Sequence, residues 1–438
     1  MNARIELGAR VLGIDLSHPV SVAVALDFRG SQPRHFGAPR ASSRPFEAPG
    51  FLGSVERGAS CNCETLTLIP HCNGTHTECV GHLTREPLDA HRVIPAGLLP
   101  AVLLSVDAEP APAEGEDTEP APERGDRLIT ARALEGAWPA ATPFEPQALL
   151  IRTLPNTAGK LTRDYSIETP AYLTQQAAQL LVRRGIWHLI VDVPSIDRAH
   201  DEGRLTAHRI FFGLPRRSVE LAASCNCETL TLIPHCNGTH TECVGHLTRE
   251  PLDAHRVIPA GLLPAVLLSV DAEPAPAEGE DTEPAPERGD RLITARALEG
   301  AWPAAAPFEP QALLIRTLPN TAGKLTRDYS IETPPYLTQQ AAQLLVRRGI
   351  WHLIVDVPSI DRAHDEGRLT AHRIFFGLPR RSVELAAAAR PEATVTELAY
   401  MADELADGAY LVELQAPALG GDAVPSRPLL YRISERSS

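Results

Sequence analysis

Lysine is almost missing from this chain. Only Lys160 and Lys324 occur, and every other strong cation is arginine. We read this as compositional bias without chemical purpose. Positive charge is in deficit overall, with a formal net charge of −14. Phosphate recognition wants a basic face, so a nucleic-acid partner is not expected. Long apolar runs are absent too. No stretch approaches the roughly 20 residues that span a bilayer, so no membrane partner is expected either. The opening "MNARIELGARVLGIDLSHPV" lacks the long apolar core of a secretion signal. The expectation is a cytoplasmic protein whose eight cysteines are thiols rather than disulfides. No Gly-x-Ser-x-Gly appears, which removes the nucleophile-elbow hydrolases.

What is there is a repeat. Residues 60–223 recur as 224–387, a period of 164, with two internal differences: Thr142 against Ala306 and Ala171 against Pro335. Solenoid repeats have periods of about 20–50 residues, so this is a duplicated block and not a solenoid. The organisation is a unique N-terminal segment (1–59), a first copy (60–223), a second copy (224–387) and a unique C-terminal segment (388–438). Removing one block, 438 less 164, leaves 274 residues, a plausible single α/β domain. The block starts inside the strand pattern "SCNCETLTLIP". It ends in "RRSVELAA", which only the second copy continues into further strands. The duplication therefore cuts through a domain. Near-identity fits either a recent duplication or an error of sequence assembly.

"CETLTLIP" alternates polar and apolar and reads as a strand that leads into a histidine-rich stretch. "AVLLSVD" (101–107), "ALLIRT" (148–153) and "IWHLIVDVP" (186–194) read as buried strands. Thr169-Pro170 is expected to open a helix with Leu173, Ala177, Leu180 and Leu181 on one face, stopping at Gly185. The acidic, proline-rich stretch 108–126 is expected to be a solvated, disordered loop. In the C-terminal segment a short helix about Met401–Leu405 and strands in "AYLVELQAPAL" and "SRPLLYRIS" are expected. Strands alternating with helices give a mixed α/β class.

The densest chemistry is "LIPHCNGTHTECVGH", residues 68–82, repeated at 232–246. On extended backbone His76 and Glu78 point to one side and can reach one metal together. His82 lies six residues from His76, although a turn at Gly81 weakens that parity. His71 or Cys72 adds a further ligand. Imidazole and carboxylate ligands suit zinc, manganese or iron(II), and a carboxylate can bridge two ions. Lone histidines are usually surface or core residues, but three within twelve positions beside Glu and Cys favour a metal. Cys61, Cys63, Cys72 and Cys79 lack the pair spacing of a structural zinc site and read as buried or site-lining thiols.

"NGTHTECVGH" resembles the His-x-Gly-Thr-His-x-Asp-x-Pro-x-His signature of the cyclase family, which includes bacterial kynurenine formamidases and isatin hydrolases. The likeness continues through "IDLSHPV" (14–20), "VDVPSID" (191–197), "AHRIFFG" (207–213) and "TVTELAYMADELADGAYLVELQAPAL". The resemblance implies a swivelling β/β/α fold with its core segment duplicated. It also implies one or two divalent ions per site, Zn or Mn, and hydrolysis of an amide or formamide by activated water. By this likeness His76 and His240, Glu78 and Glu242, His82 and His246, His208 and His372, and Glu397 are metal ligands. Glu stands where the family has Asp, and Val80 where it has Pro. The family's first histidine falls on Cys72 (Cys236), with His71 (His235) one residue earlier. Either a thiolate replaces an imidazole or a one-residue bulge presents His71; we favour His71. His82 or His246 is the expected proton shuttle. Ser195 reads as a loop cap and not a nucleophile.

Glu220 and its twin Glu384 also stand at a family-like spacing from the later histidine, but without the flanking pattern of Glu397. The complete site is thus expected from His240, Glu242, His246, His372 and Glu397. The N-terminal strand must reach across to the second copy or stay with the first. If it stays, the first copy is an incomplete domain with open edges. The implied activity is arylformamidase-like, on an N-formylkynurenine-type small molecule in tryptophan catabolism, in a homo-oligomer. The alternatives are an isatin-type lactam hydrolase, a cyclase, or a non-catalytic metal-binding product of the duplication.

Overall fold

The computed structural model describes residues 2–7, 10–16, 18–214, 226–304, 306–331 and 333–433. The block junction at 223/224 and Glu220 lie outside them. The chain opens with β1 (Asn2–Leu7) and β2 (Arg10–Asp15), an antiparallel hairpin. It joins no other sheet among the described residues, and none of its side chains is fully buried. The strand expected at 14–20 therefore ends at Asp15 and stays off the main sheet. β3 (Ser42–Pro45) comes next, and the first copy opens with β4 (Glu64–Leu68).

The first copy continues with β5 (Ala101–Asp107), α1 (Ala131–Ala137), β6 (Ala148–Leu154), α2 (Gln175–Arg183), β7 (His188–Val191) and α3 (Thr206–Phe211). The second copy has β8 (Leu230–Leu232), β9 (His240–Cys243), β10 (Leu262–Asp271), α4 (Ala295–Ala301), β11 (Ala312–Leu318), α5 (Gln339–Arg347), β12 (His352–Val355) and α6 (Thr370–Phe376). The C-terminal segment adds β13 (Thr394–Glu397), β14 (Gly408–Gln415), β15 (Ala423–Pro425) and β16 (Arg427–Arg432).

The second copy and the C-terminal segment build one eight-stranded mixed sheet, in the order β15-β9-β13-β12-β11-β10-β14-β16. Strands β10, β11 and β12 run parallel and are apolar on both faces, as strands covered on both sides must be. Val266, Leu268, Leu313, Ile315 and Leu353 meet helices α4–α6 on one face. Leu267, Leu314 and Ile354 meet Ala399, Met401, Tyr410 and Val412 on the other. In the first copy the matching strands form a three-stranded sheet, β7-β6-β5, with α1–α3 covering one face in a separate core.

The two copies meet through their identical strands. β4 and β8 pair antiparallel, with Leu68 opposite Leu230, Thr67 opposite Thr231, and Leu66 opposite Leu232. Exchanging every residue for its twin leaves this pairing unchanged, so a local two-fold axis passes between Thr67 and Thr231. The preceding segments cross over. The Asn62 side chain donates to the Gly245 and Thr248 carbonyls (2.8 Å each) in the second copy. Asn226 donates to Gly81 and Thr84 (2.9 Å each) in the first. The N-terminal segment touches the first copy and the C-terminal segment: Arg34 pairs with Asp164, whereas Leu26 bridges to Leu419.

Three expectations are corrected. The helix does not open at Thr169-Pro170. Tyr172–Leu173 is a short strand, and α2 starts at Gln175, where the Thr174 hydroxyl accepts the Ala177 N–H. Met401–Leu405 is not helical, because the Arg316 guanidinium takes the Ala402 (2.7 Å) and Leu405 (2.9 Å) carbonyls. The acidic stretch 108–126 is folded onto the helices. Glu116 accepts the Ala131 N–H at 3.0 Å and the Thr174 hydroxyl at 2.5 Å, tying the starts of α1 and α2 together.

Candidate metal centre

Strand β9, second from one edge of the large sheet, carries His240 and Glu242 between β13 and the edge strand β15. His240 lies opposite Glu397 in the ladder, and their side chains come within 3.4 Å. The His240 Nδ1 hydrogen-bonds to the Gly238 carbonyl at 3.0 Å, which turns Nε2 inward. Gly238 has φ 142°, a conformation that L side chains rarely adopt. On the far side of β13, Leu398 is held at φ 54°, and its carbonyl accepts from Thr239 at 2.6 Å. A leucine in the left-handed region is strained, and the strain sits directly beside Glu397.

Glu242 is the hub. Its carboxylate lies 3.2 Å from His235 Nε2, 3.7 Å from His246 Nδ1 and 2.7 Å from His372 Nε2. His372 also reaches Glu397 at 3.4 Å. Its Nδ1 is fixed by Asp361 at 2.7 Å, and Asp361 accepts the backbone N–H groups of Ala371 and His372 at the start of α6. Asp422 closes the site, 3.1 Å from His235 Nε2 and 3.2 Å from His246 Nδ1. His235, not Cys236, faces the cluster, which fits the bulge reading; the Cys236 thiol pairs with Cys63.

Electrostatics couple these groups. Burial alone would raise the Glu242 carboxyl, but His246 and His372 hold it well below the usual carboxylate range. Burial opposes charge on His235, yet Asp422 lifts it to about 9. Asp422 is held below its ordinary value by His235 and His246, against the burial that would raise it. His246 and His372 are raised well above theirs despite burial, with Glu242 the main cause in each.

The donor set fits a divalent ion. His235 Nε2, His240 Nε2, His372 Nε2 and both Glu242 oxygens are buried without a well-aligned hydrogen bond. Such orphaned donors and acceptors are costly unless something else satisfies them. His240, Glu242 and Glu397 offer ligand atoms within 4.8 Å of one another, as do His235, Glu242 and His246. Glu242 is common to both sets, the arrangement of a carboxylate between two ions.

The first copy brings together His71, His76 and Glu78, with ligand atoms again within 4.8 Å. His208 lies 2.6 Å from Glu78 and is oriented by Asp197 at 2.6 Å. His82 Nε2 is 3.7 Å from Glu78, but its Nδ1 bonds to the Asn226 carbonyl at 3.0 Å, whereas His246 turns Nδ1 towards Glu242 and Asp422. His71 is lowered to about 4, chiefly by burial. Cys72 is buried. Residues 76–79 join no strand among the described residues. No counterpart of Glu397 or Asp422 stands beside this cluster among the described residues, because the single C-terminal segment lies on the second copy. Glu384 lies away from both clusters, half-exposed and paired with Arg249 at 3.2 Å.

Sequence reading missed Asp361 and Asp422. Asp361 sits eleven residues before His372 in "VPSID", a segment noted for its family likeness without a role. Asp422 had no signal beyond being an acid in a loop. Cys61 of the first copy packs in the second copy's core and contacts His246. Ser195 is a loop cap as expected, accepting the Asp197 N–H at 3.2 Å.

A buried cluster of imidazoles and carboxylates, drawn from distant strands of a mixed α/β sheet, defines a candidate metal-dependent enzyme. The chain belongs to the cyclase family, described as putative cyclase, whose model matches residues 14–198 and 206–362. Among solved structures, a predicted metal-dependent hydrolase from Bacillus stearothermophilus is 18% identical over 47% of this chain and 81% of its own, with a TM-score of 0.29. An isatin hydrolase bound to the product analogue thioisatinate is 17% identical over 49% of this chain and 78% of its own, at a TM-score of 0.30. Isatin hydrolase A from Labrenzia aggregata, bound to benzyl benzoate, is 13% identical over 47% of this chain and 76% of its own, also at 0.30. No curated protein matches. No helix among the described residues is long and apolar enough to cross a membrane.

Proposed function

We propose that the second-copy cluster is the working site of a metal-dependent amidohydrolase cleaving a C–N bond of the formamide type, with an N-formylkynurenine-like small molecule as substrate. The observation that carries this reading is the set of buried, hydrogen-bond-orphaned atoms on His235, His240, Glu242 and His372. His235, His240, His246, His372, Glu242 and Glu397 would hold one or two ions, Zn or Mn. A divalent ion bound there supplies Lewis acidity, acidifying water and polarising a carbonyl. The protein's own residues do the rest. Asp361 fixes the ring of His372. Asp422, 3.2 Å from His246 Nδ1, keeps that imidazole oriented. His246 then carries a proton to the leaving nitrogen.

The test combines elemental analysis with turnover. Purified chain should carry stoichiometric transition metal and hydrolyse N-formylkynurenine. Chelation should abolish turnover, and Zn or Mn should restore it. Metal bound without turnover on any formamide, lactam or ester would refute the enzyme reading in favour of a metal-binding protein.

A further inference from the structure

The duplication gives one chain two copies of the same sheet and a single segment to cover them. We propose that the bare sheet of the first copy is a docking site for residues 388–433 of a second copy of this chain. The structure itself displays the complex, because every residue of the face has a twin 164 positions later whose cover is visible.

The apolar face comes first. Leu103 is 53% exposed and Ile190 is 42% exposed, whereas their twins Leu267 and Ile354 are fully buried under Met401, Tyr410 and Val412. The edges come second. In the second copy β13 pairs with β12, Ile354 opposite Thr396, and β14 pairs with β10, Leu267 opposite Gly408. In the first copy both equivalent edges, β7 and β5, have no strand beside them among the described residues. Open edges are templates for an added strand. The polar contacts come third. Arg316 binds the Ala402 and Leu405 carbonyls and Asp407, and Ser269 binds Asp407 at 2.7 Å. Among the described residues their twins Arg152 and Ser105 bond to each other, at 2.6 Å, with no counterpart of Asp407. Apolar face, strand edges and recognition groups for this one segment are thus all in place. Exchange of an identical element between chains is a low-cost route to association.

Docking has a consequence that rests on the proposed function. It brings another chain's Glu397 to His76 and its Asp422 to His71 and His82, completing the first-copy cluster while vacating the donor's second-copy cluster. The docking itself stands independently of that chemistry.

The experiment adds a fluorescent synthetic segment 388–433 to the full chain in chelator, without substrate, so that failure of the hydrolase reading does not affect it. Anisotropy and native mass spectrometry should read saturable binding of one segment per chain. Leu103→Asp, at an exposed position, should weaken binding more than about tenfold, since docking would bury an unpaired carboxylate. Its circular dichroism should be unchanged. Tyr410→Asp placed in the synthetic segment alone should weaken binding likewise while the chain stays wild type. No saturable binding overturns the proposal. Binding indifferent to Leu103→Asp also overturns it, since the segment is then displacing its own counterpart on the second copy. Self-association through Leu103 that excess segment does not compete away overturns it too, since the face then pairs with itself.

Discussion

Asp361 and Asp197 are the same residue in two settings, which makes each the control for the other. Asp361 holds His372 Nδ1 at 2.7 Å, beside a cluster containing Glu397; Asp197 holds His208 at 2.6 Å, beside a cluster without it. Carboxylates that orient ligand histidines typically matter by about 10–100-fold. Asp361→Asn should therefore lower kcat/KM by about that factor, while Asp197→Asn leaves it within about twofold; steady-state turnover on a formamide checks both. Equal losses would place catalysis in both copies. His352 offers a pH test. Burial, with Arg390 nearby, lowers its pKa from 6.5 to about 4. The native state thus prefers the neutral ring. Its contribution is fully present above pH 6.5 and is lost as pH falls towards 4. The shift corresponds to at most about 3 kcal/mol. His352→Gln should flatten urea-measured stability across that window, with the wild-type chain as the control. The two lysines are both paired: Lys160 with Asp192 at 2.7 Å and Lys324 with Asp356 at 2.6 Å, pinning strand ends.

The duplicated sequence separates what an element's residues determine from what its neighbours determine. The apolar runs at 101–107 and 148–153 and the amphipathic helix ending at Gly185 were legible because period and turn residues act locally. Their twins form the same elements. The strand of the candidate metal centre was not so plainly legible. "HTEC" is strand β9 at 240–243 and no strand at 76–79, because only the second copy has β13 and β15 to ladder with. Strand formation there is a tertiary decision. The ligand histidines could be named from spacing and likeness, but Asp422 could not, since only the fold of the C-terminal segment brings it 3.1 Å from His235. The missing helix at 401–405 has the same cause: a distant arginine competes for its carbonyls. Cover alone should separate twin leucines. Leu267→Ala, at a fully buried position, should cost about 2–5 kcal/mol, and Leu103→Ala, at its 53% exposed twin, within about 0.5 kcal/mol. Denaturant midpoints of the two variants decide it.

At the scale of the whole molecule the chain is a fused pair with unequal halves. The first copy keeps its own helical-side core around Leu104, Leu134, Leu149 and Leu181, and the second keeps another around Leu268, Leu298, Leu313 and Leu345. What joins them is the short β4–β8 ladder, the reciprocal Asn62 and Asn226 bonds and the insertion of Cys61 into the second core, a thin connection beside either core. Units with separate cores open separately, and the one burying less apolar surface opens first. The first copy has one covered sheet face and the second has two, so the first copy is the weaker unit. Calorimetry in chelator should resolve two transitions. Leu134→Ala should lower the first alone and Leu298→Ala the second alone, since each leucine is fully buried in its own core. A single transition moved equally by both would mean that the ladder and the crossed asparagines couple the halves into one cooperative body. The idea of a weaker, uncovered first half would then be wrong.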